Sequence, residues 1–239
     1  MARLSRLYAP NTAQLVQVRF ARPLALPDEP APAEKLNLLA DWLRSAARDT
    51  GVQVHGWVLL ADRLALLATP PDKPSLARLM QAIGRRFATR LERGRVFAER
   101  YRSALLQPDA WVLPGLIWLD HLPAQHHYVD DPTQWPWSSA AQHTGLGTAS
   151  SHWAVDHPDY WHLGNTPFER QARYRRLLEQ GPGQEPTQRL EQALFGQWAL
   201  GDENFLAHIH QESTRRLIPA KRGRPRKPAA PPSTDLGAV

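Results

Sequence analysis

Cysteine is absent from the 239 residues and methionine occurs only twice. The first absence removes disulfide frameworks, thiolate zinc sites and cysteine nucleophiles together, so any chemistry must rest on other groups. No run reaches ~18 apolar residues, the length a spanning helix requires, so no membrane role is expected. The N-terminal MARLSRLYAP has no apolar segment behind its arginines, which makes the cytoplasm the expected compartment. Nucleotide-binding glycine loops and the G-x-S-x-G elbow of serine hydrolases are also missing. What remains has the composition of a folded chain: 42% hydrophobic and 22% charged residues, near the average for globular domains.

Charge is unevenly spread. The net value is +6, yet residues 1–22 alone carry +4 (Arg3, Arg6, Arg19, Arg22), residues 78–102 carry +6, and residues 219–239 carry +4, which leaves −8 for the rest. Cations focused on short segments of an otherwise acidic body suit faces that meet a polyanion, with nucleic acid the first candidate.

Periodicity predicts an α+β order. Alternation over Leu15–Phe20 reads as a strand, a proline-rich loop follows, and apolar residues at helical spacing mark Glu34–Asp49 as a helix stopped at Thr50-Gly51. Val52–Leu60 and Leu64–Ala68 read as a hairpin turning at Ala61-Asp62-Arg63. Ser75 is the expected N-cap of a helix with the apolar stripe Leu76, Leu79, Met80, Ile83, Phe87 and Leu91. Beside that stripe lies a band of arginines, Arg78, Arg85, Arg86, Arg90 and Arg93. A band like this is commonly just a solvated face, but here acids are scarce within it, which favours phosphate contact. Tyr101–Leu106 reads as a strand, and a helix is expected to begin with Pro114 as its first residue. Further helices are expected over Phe168–Gln180, Gln188–Trp198 and Glu203–Gln211. Beyond Ile218 the proline-rich basic tail lacks the apolar residues to fold.

Within that tail, Lys221-Arg222-Gly223-Arg224-Pro225-Arg226-Lys227 resembles an AT-hook, whose arginines enter a narrow minor groove. A plain polybasic tail would bind nucleic acid as well. His121, His126 and His127, like His143, His152, His157 and His162, show no ligand spacing, and the default is exposed loop histidines with no metal. The nine tryptophans, including Trp135 and Trp137 of WPWSS, are chiefly core residues on this reading, with stacking on unpaired bases a secondary use.

Seven pieces in order, MARLSRL, WVLLADRLALLATP (57–70), LARLMQAIGRRFATRL (76–91), FAERYRSALL (97–106), DDPTQWPWSS (130–139), GNTPFERQARYRRLLEQ (164–180) and KRGRPRK (221–227), together resemble the REP-associated tyrosine transposases, a branch of the single-tyrosine transposases with a His-hydrophobic-His motif. The resemblance implies a ferredoxin-like α/β sandwich with a central antiparallel sheet over residues 1–145. C-terminal helices would follow over 146–218, and a disordered tail over 219–239. It implies single-stranded or hairpin DNA as partner. Such enzymes hold a divalent metal such as Mg or Mn with two strand histidines and attack the phosphate with a helix tyrosine. Carried over residue by residue, the histidines fall on Arg63 and Ala65 and the tyrosine on Trp118. None of these side chains can ligate a cation or act as nucleophile. The expectation is therefore a catalytically degenerate DNA-binding protein with no cofactor, gripping DNA through Arg78, Arg85, Arg86, Arg90, Arg93, Arg95, Arg100, Arg102, Lys221, Arg222, Arg224, Arg226 and Lys227. The alternative is an active transposase in which Tyr101 or Tyr128 replaces the nucleophile and His55 supplies a ligand.

Overall fold

The computed structural model describes residues 5–26, 29–90, 94–147, 152–213 and 215–219. Arg93 and the basic tail with Lys221, Arg222, Arg224, Arg226 and Lys227 lie outside the described residues. The element order is β1 (Gln14–Arg19), α1 (Ala33–Thr50), β2 (Gln53–Leu59), β3 (Arg63–Thr69), α2 (Ser75–Arg90), β4 (Arg102–Leu106), α3 (Val112–Gln125), α4 (Ala140–His143), α5 (Pro158–Trp161), α6 (Pro167–Gln180), α7 (Gln184–Gly196), β5 (Ala199–Leu200) and α8 (Glu203–Glu212), with a 3-10 turn at Pro132–Gln134. The sheet runs β2-β3-β1-β4-β5. Its first four strands pair antiparallel, whereas β5 joins β4 in parallel. The first six elements and the 2-3-1-4 strand order are the ferredoxin-like βαββαβ arrangement expected from the sequence. None of the described helices is long and apolar enough to cross a membrane.

Alternation along the strands assigns side chains to two faces. Leu15, Gln17, Ala65, Leu67, Gly56 and Val58 share one face through direct pairing. That face carries α3, because a Cβ on Gly56 would stand 2.8 Å from Leu116 and 3.0 Å from Leu119. Gly115 allows the same closeness from the helix side, where an added Cβ would meet Leu106 at 2.8 Å. Val16, Val18 and Phe20 take the opposite face under α2, with the Phe20 and Phe87 rings stacked at 5.6 Å. One contiguous core joins residues from β1 to α7, including Tyr160, Tyr174, Leu178, Leu190 and Leu194 from the later helices. A smaller cluster of Leu7, Ala9, Leu105, Ala199, Ile209 and Leu217 packs at the β4–β5 end.

The outer edge of β2 is occupied. Leu59 N–H donates to the Trp137 carbonyl (2.8 Å), Ser139 N–H to that of Trp57 (2.9 Å) and Val155 N–H to that of Val54 (2.8 Å).

Three of the differences from the sequence reading have a plain physical reason. Pro114 is the third residue of α3, not the first. The first-turn N–H groups have no intrahelical acceptor, so a proline is tolerated throughout that turn. For the same reason α7 begins inside the GPGQEP breaker, with Pro186 in its first turn. Ser75 is the first helical residue, and the capping role passes to Asp72, whose carboxylate accepts from Ser75 N–H at 2.8 Å.

Candidate nucleic-acid interface

Arg63, Ala65 and Trp118, the positions on which the sequence resemblance places the transposase chemistry, lie on the α3 side of the sheet. Ala65 sits in a row across the sheet with Val58 on one side and Gln17, then Arg102, on the other. Ala65 and Val58 have no exposed surface and Gln17 is 5% exposed. α3 runs along β3 from Gly115, beside Leu67, to its C-cap His126, whose pKa is lowered by partial loss of solvent and by the nearby Arg63 guanidinium. Ala65 lies between those two ends on the strand, and Trp118 lies between them on the helix. Trp118 is 2% exposed, and its indole Nε1 is buried with no hydrogen-bond acceptor among the described residues.

Arg63, at the strand end, is held by Asp62 through two hydrogen bonds of 2.8 Å. Burial works against the Asp62 carboxylate, but Arg63 outweighs it and keeps the acid below its usual range. This donor set does not fit a divalent cation: alanine, indole and a guanidinium supply no lone pair for one. Among the described residues no cluster of three or more histidines or carboxylates could ligate a metal.

The substitute groups face other work. His55 Nδ1 meets the Val155 carbonyl at 2.8 Å and Nε2 meets Thr69 Oγ1 at 2.9 Å, so the ring is a neutral Nδ1–H tautomer, and burial pushes its pKa down to about 4. Tyr101 is buried beneath the Arg6 guanidinium, 3.6 Å from the ring centroid. Burial raises the Tyr101 pKa in spite of Arg6 and Arg100, and burial followed by the Asp62 charge raises that of Tyr128. An activated phenol nucleophile needs the reverse shift or an adjacent base.

Two histidines expected on the surface are buried. His126, His127, His152 and His162 are exposed, but His143 is 1% and His157 7% exposed. His143 Nδ1 lies 2.6 Å from Asp120 Oδ2, and Nε2 lies 2.9 Å from the His55 carbonyl. Both partners are acceptors, so the ring carries both protons and is an imidazolium. Burial opposes that charge, but Asp120 prevails and the His143 pKa is raised. Asp120 also accepts from Tyr174 (2.7 Å) and Ser139 (2.5 Å), so α3, α4 and α6 are tied through one carboxylate. No motif spacing reveals this network. Of the nine tryptophans only Trp161 is exposed (57%), and Trp135 donates from Nε1 to the Leu59 carbonyl at 2.9 Å, as the core reading of WPWSS expects.

The arginines expected to grip DNA divide. On α2, Arg78 is bound to Asp72 (2.8 Å) and Arg86 approaches Asp49 (3.8 Å), whereas Arg102, in the Gln17 row on the α3 face, pairs with Glu99 (2.9 Å). The scarcity of acids inside the α2 segment is thus partly offset by acids from the preceding loop and α1. Arg90 is exposed. Arg85, Arg95 and Arg100 are exposed as well, and with Arg6 they line an open cleft of about 720 Å³ between α2 and residues 94–101. Arg95 is braced by the carbonyls of Phe97 (3.0 Å) and Ala98. The sequence reading counted Arg6 in a basic segment without assigning it to the site. The cation excess of residues 1–22 was the available signal.

No family model matches the chain, and no curated protein matches it. Among solved structures it is similar to a REP-associated tyrosine transposase bound to a REP hairpin, at 14% identity and a TM-score of 0.50, covering 65% of this chain and 93% of that one. At that identity the likeness establishes the shared fold.

Proposed function

We propose that the chain is a DNA-binding protein built on a REP-associated tyrosine transposase scaffold, that it binds single-stranded or hairpin DNA in the cytoplasm, and that it has lost the cleavage chemistry. Residues 1–145 provide the binding unit, 146–218 a helical extension, and the AT-hook-like tail a further nucleic-acid contact. The observation that carries this reading is the contrast at the site. Ala65 and Trp118 are buried and carry no metal-ligating atom, while four arginines line an open cleft with Glu99, itself paired to Arg102. The solved REP-hairpin complex supports hairpin DNA as the partner class.

The test is affinity for a REP-like hairpin against a scrambled strand at two salt concentrations. Binding should favour the hairpin and weaken with salt, because each neutralised phosphate releases about 0.7 counterions on single strands and about 0.9 on duplex. Equal, salt-insensitive binding to both would refute the reading. Incubation of labelled hairpin with Mg²⁺ or Mn²⁺ should give no covalent adduct on a denaturing gel, and a robust adduct would restore the active transposase.

A further inference from the structure

The cleft beside α2 is more than a patch of charge. Its floor is apolar and aromatic, with Val18, Met80, Phe97 and Tyr101, and its rim carries Arg6, Arg85, Arg95 and Arg100. Glu99, the acid at its edge, is engaged by Arg102 through two hydrogen bonds of 3.0 Å. Arg6 is fixed by stacking on Tyr101 and by donating to the Tyr101 carbonyl at 3.3–3.4 Å, so its charge is oriented before any ligand arrives. Burial, and after it the nearby Arg100 charge, lower the Arg6 pKa in spite of Tyr101. An anion placed beside Arg6 offsets both effects. A volume of about 720 Å³ is within the range of small-ligand sites. Another cleft, about 650 Å³ at the end of α1, sets Asp41 against Arg44 and Arg48 and so carries less net positive charge.

We infer that this cleft is a binding site for an unpaired nucleotide, with the base lying against the half-buried Val96 and Phe97 side chains and the phosphate held by the arginine rim. The site is on the face of the sheet turned away from α3, distinct from the positions that match the transposase chemistry. Paired DNA does not suit it, because duplex bases are stacked inside the helix and only phosphates would reach the rim, leaving the floor unused. The ligand chemistry, one aromatic base with its phosphate, has two sources: a free nucleotide, or an unpaired residue flanking a DNA hairpin. The second source rests on the function proposed above.

The experiment uses the full chain and a hairpin bearing a single-stranded flank with one 2-aminopurine, alongside the same hairpin without a flank. Ala88→Trp fills the cleft without removing an arginine, and it should weaken flank binding at least tenfold while leaving the blunt hairpin within about twofold. Arg85→Gln, at an exposed position, should weaken flank binding severalfold and serves if the tryptophan variant fails to fold. Displacement of the probe by dTMP would identify a free nucleotide as a ligand, and displacement by a dT10 strand alone would identify the strand. If both variants bind the flank like the parent chain, or if inorganic phosphate displaces the probe as well as dTMP does, the inference falls. Hairpin binding that ignores the cleft would overturn this site and leave the proposed function standing, whereas dTMP binding that needs the cleft, with no affinity for hairpin or dT10, would do the reverse.

Discussion

Under α3, Ala65 and Trp118 are closed in by neighbours from three strands and a helix; under α2, Arg85 and Phe97 line a cleft open to solvent. The same sheet therefore presents a packed face and a receptive one. A divalent-metal nuclease site needs exposed ligands around an accessible phosphate, and the packed face offers none at Ala65 or Trp118, both buried. Positive charge is gathered on the other side instead, around the cleft. Under the function proposed above, metal chemistry and phosphate contact make their demands on different faces of one sheet.

The largest expected effect tests how firmly the packed side is locked. Asp120→Ala would leave the His143 imidazolium, Tyr174 and Ser139 without their shared acceptor, and denaturant unfolding should show a loss of about 3–5 kcal/mol. A loss below about 1 kcal/mol would mean that the network is not closed as described.

Next comes pH. His55 falls from 6.5 to about 4 on folding, so its contribution is complete above pH 6.5 and is lost as pH drops toward 4, a change on the order of 3 kcal/mol. His143 works in the opposite sense. Its raised pKa gives stability that is full below 6.5 and disappears only as pH climbs through the elevated value. Acid sensitivity should therefore trace to His55, and an NMR titration placing its midpoint near 6.5 would contradict the buried neutral ring.

Smaller still is Trp118→Phe. It removes the buried unpaired indole N–H along with some volume, and the two effects oppose, so stability should change by less than about 1.5 kcal/mol. Trp118→Tyr should form no adduct with hairpin DNA and Mg²⁺, because no ligand accompanies the new phenol. On the open side, Arg85→Gln with Arg90→Gln should leave stability within about 0.5 kcal/mol. If both arginines contact a single strand, the same pair should lower the salt slope by about 1.4. An unchanged slope would place the DNA elsewhere.

The elements with strong periodicity were legible. α1, α2 and the β2–β3 hairpin lie within two residues of the sequence reading at every end, because their apolar stripes face a single core. β5 and the four-residue α4 and α5 were not, since so few residues show no period. The Thr166–Glu169 capping box was written in the sequence and marks the true start of α6 at Pro167. The buried network was hidden because Asp120, His143 and Tyr174 are far apart in the chain, and a buried histidine looks like any other until its partners arrive. The cleft was half visible. Its α2 arginine, Arg85, stood out, whereas Arg6 reaches it only through folding of the N-terminal segment onto Tyr101.

The occupied border of β2 has a consequence for how copies of this chain can meet. With Val54, Trp57 and Leu59 already bonded to Val155, Ser139 and Trp137, an incoming strand from a neighbour finds these ladder positions taken. Fibril-like stacking through that border is closed off, and any self-association from that side must proceed through side chains.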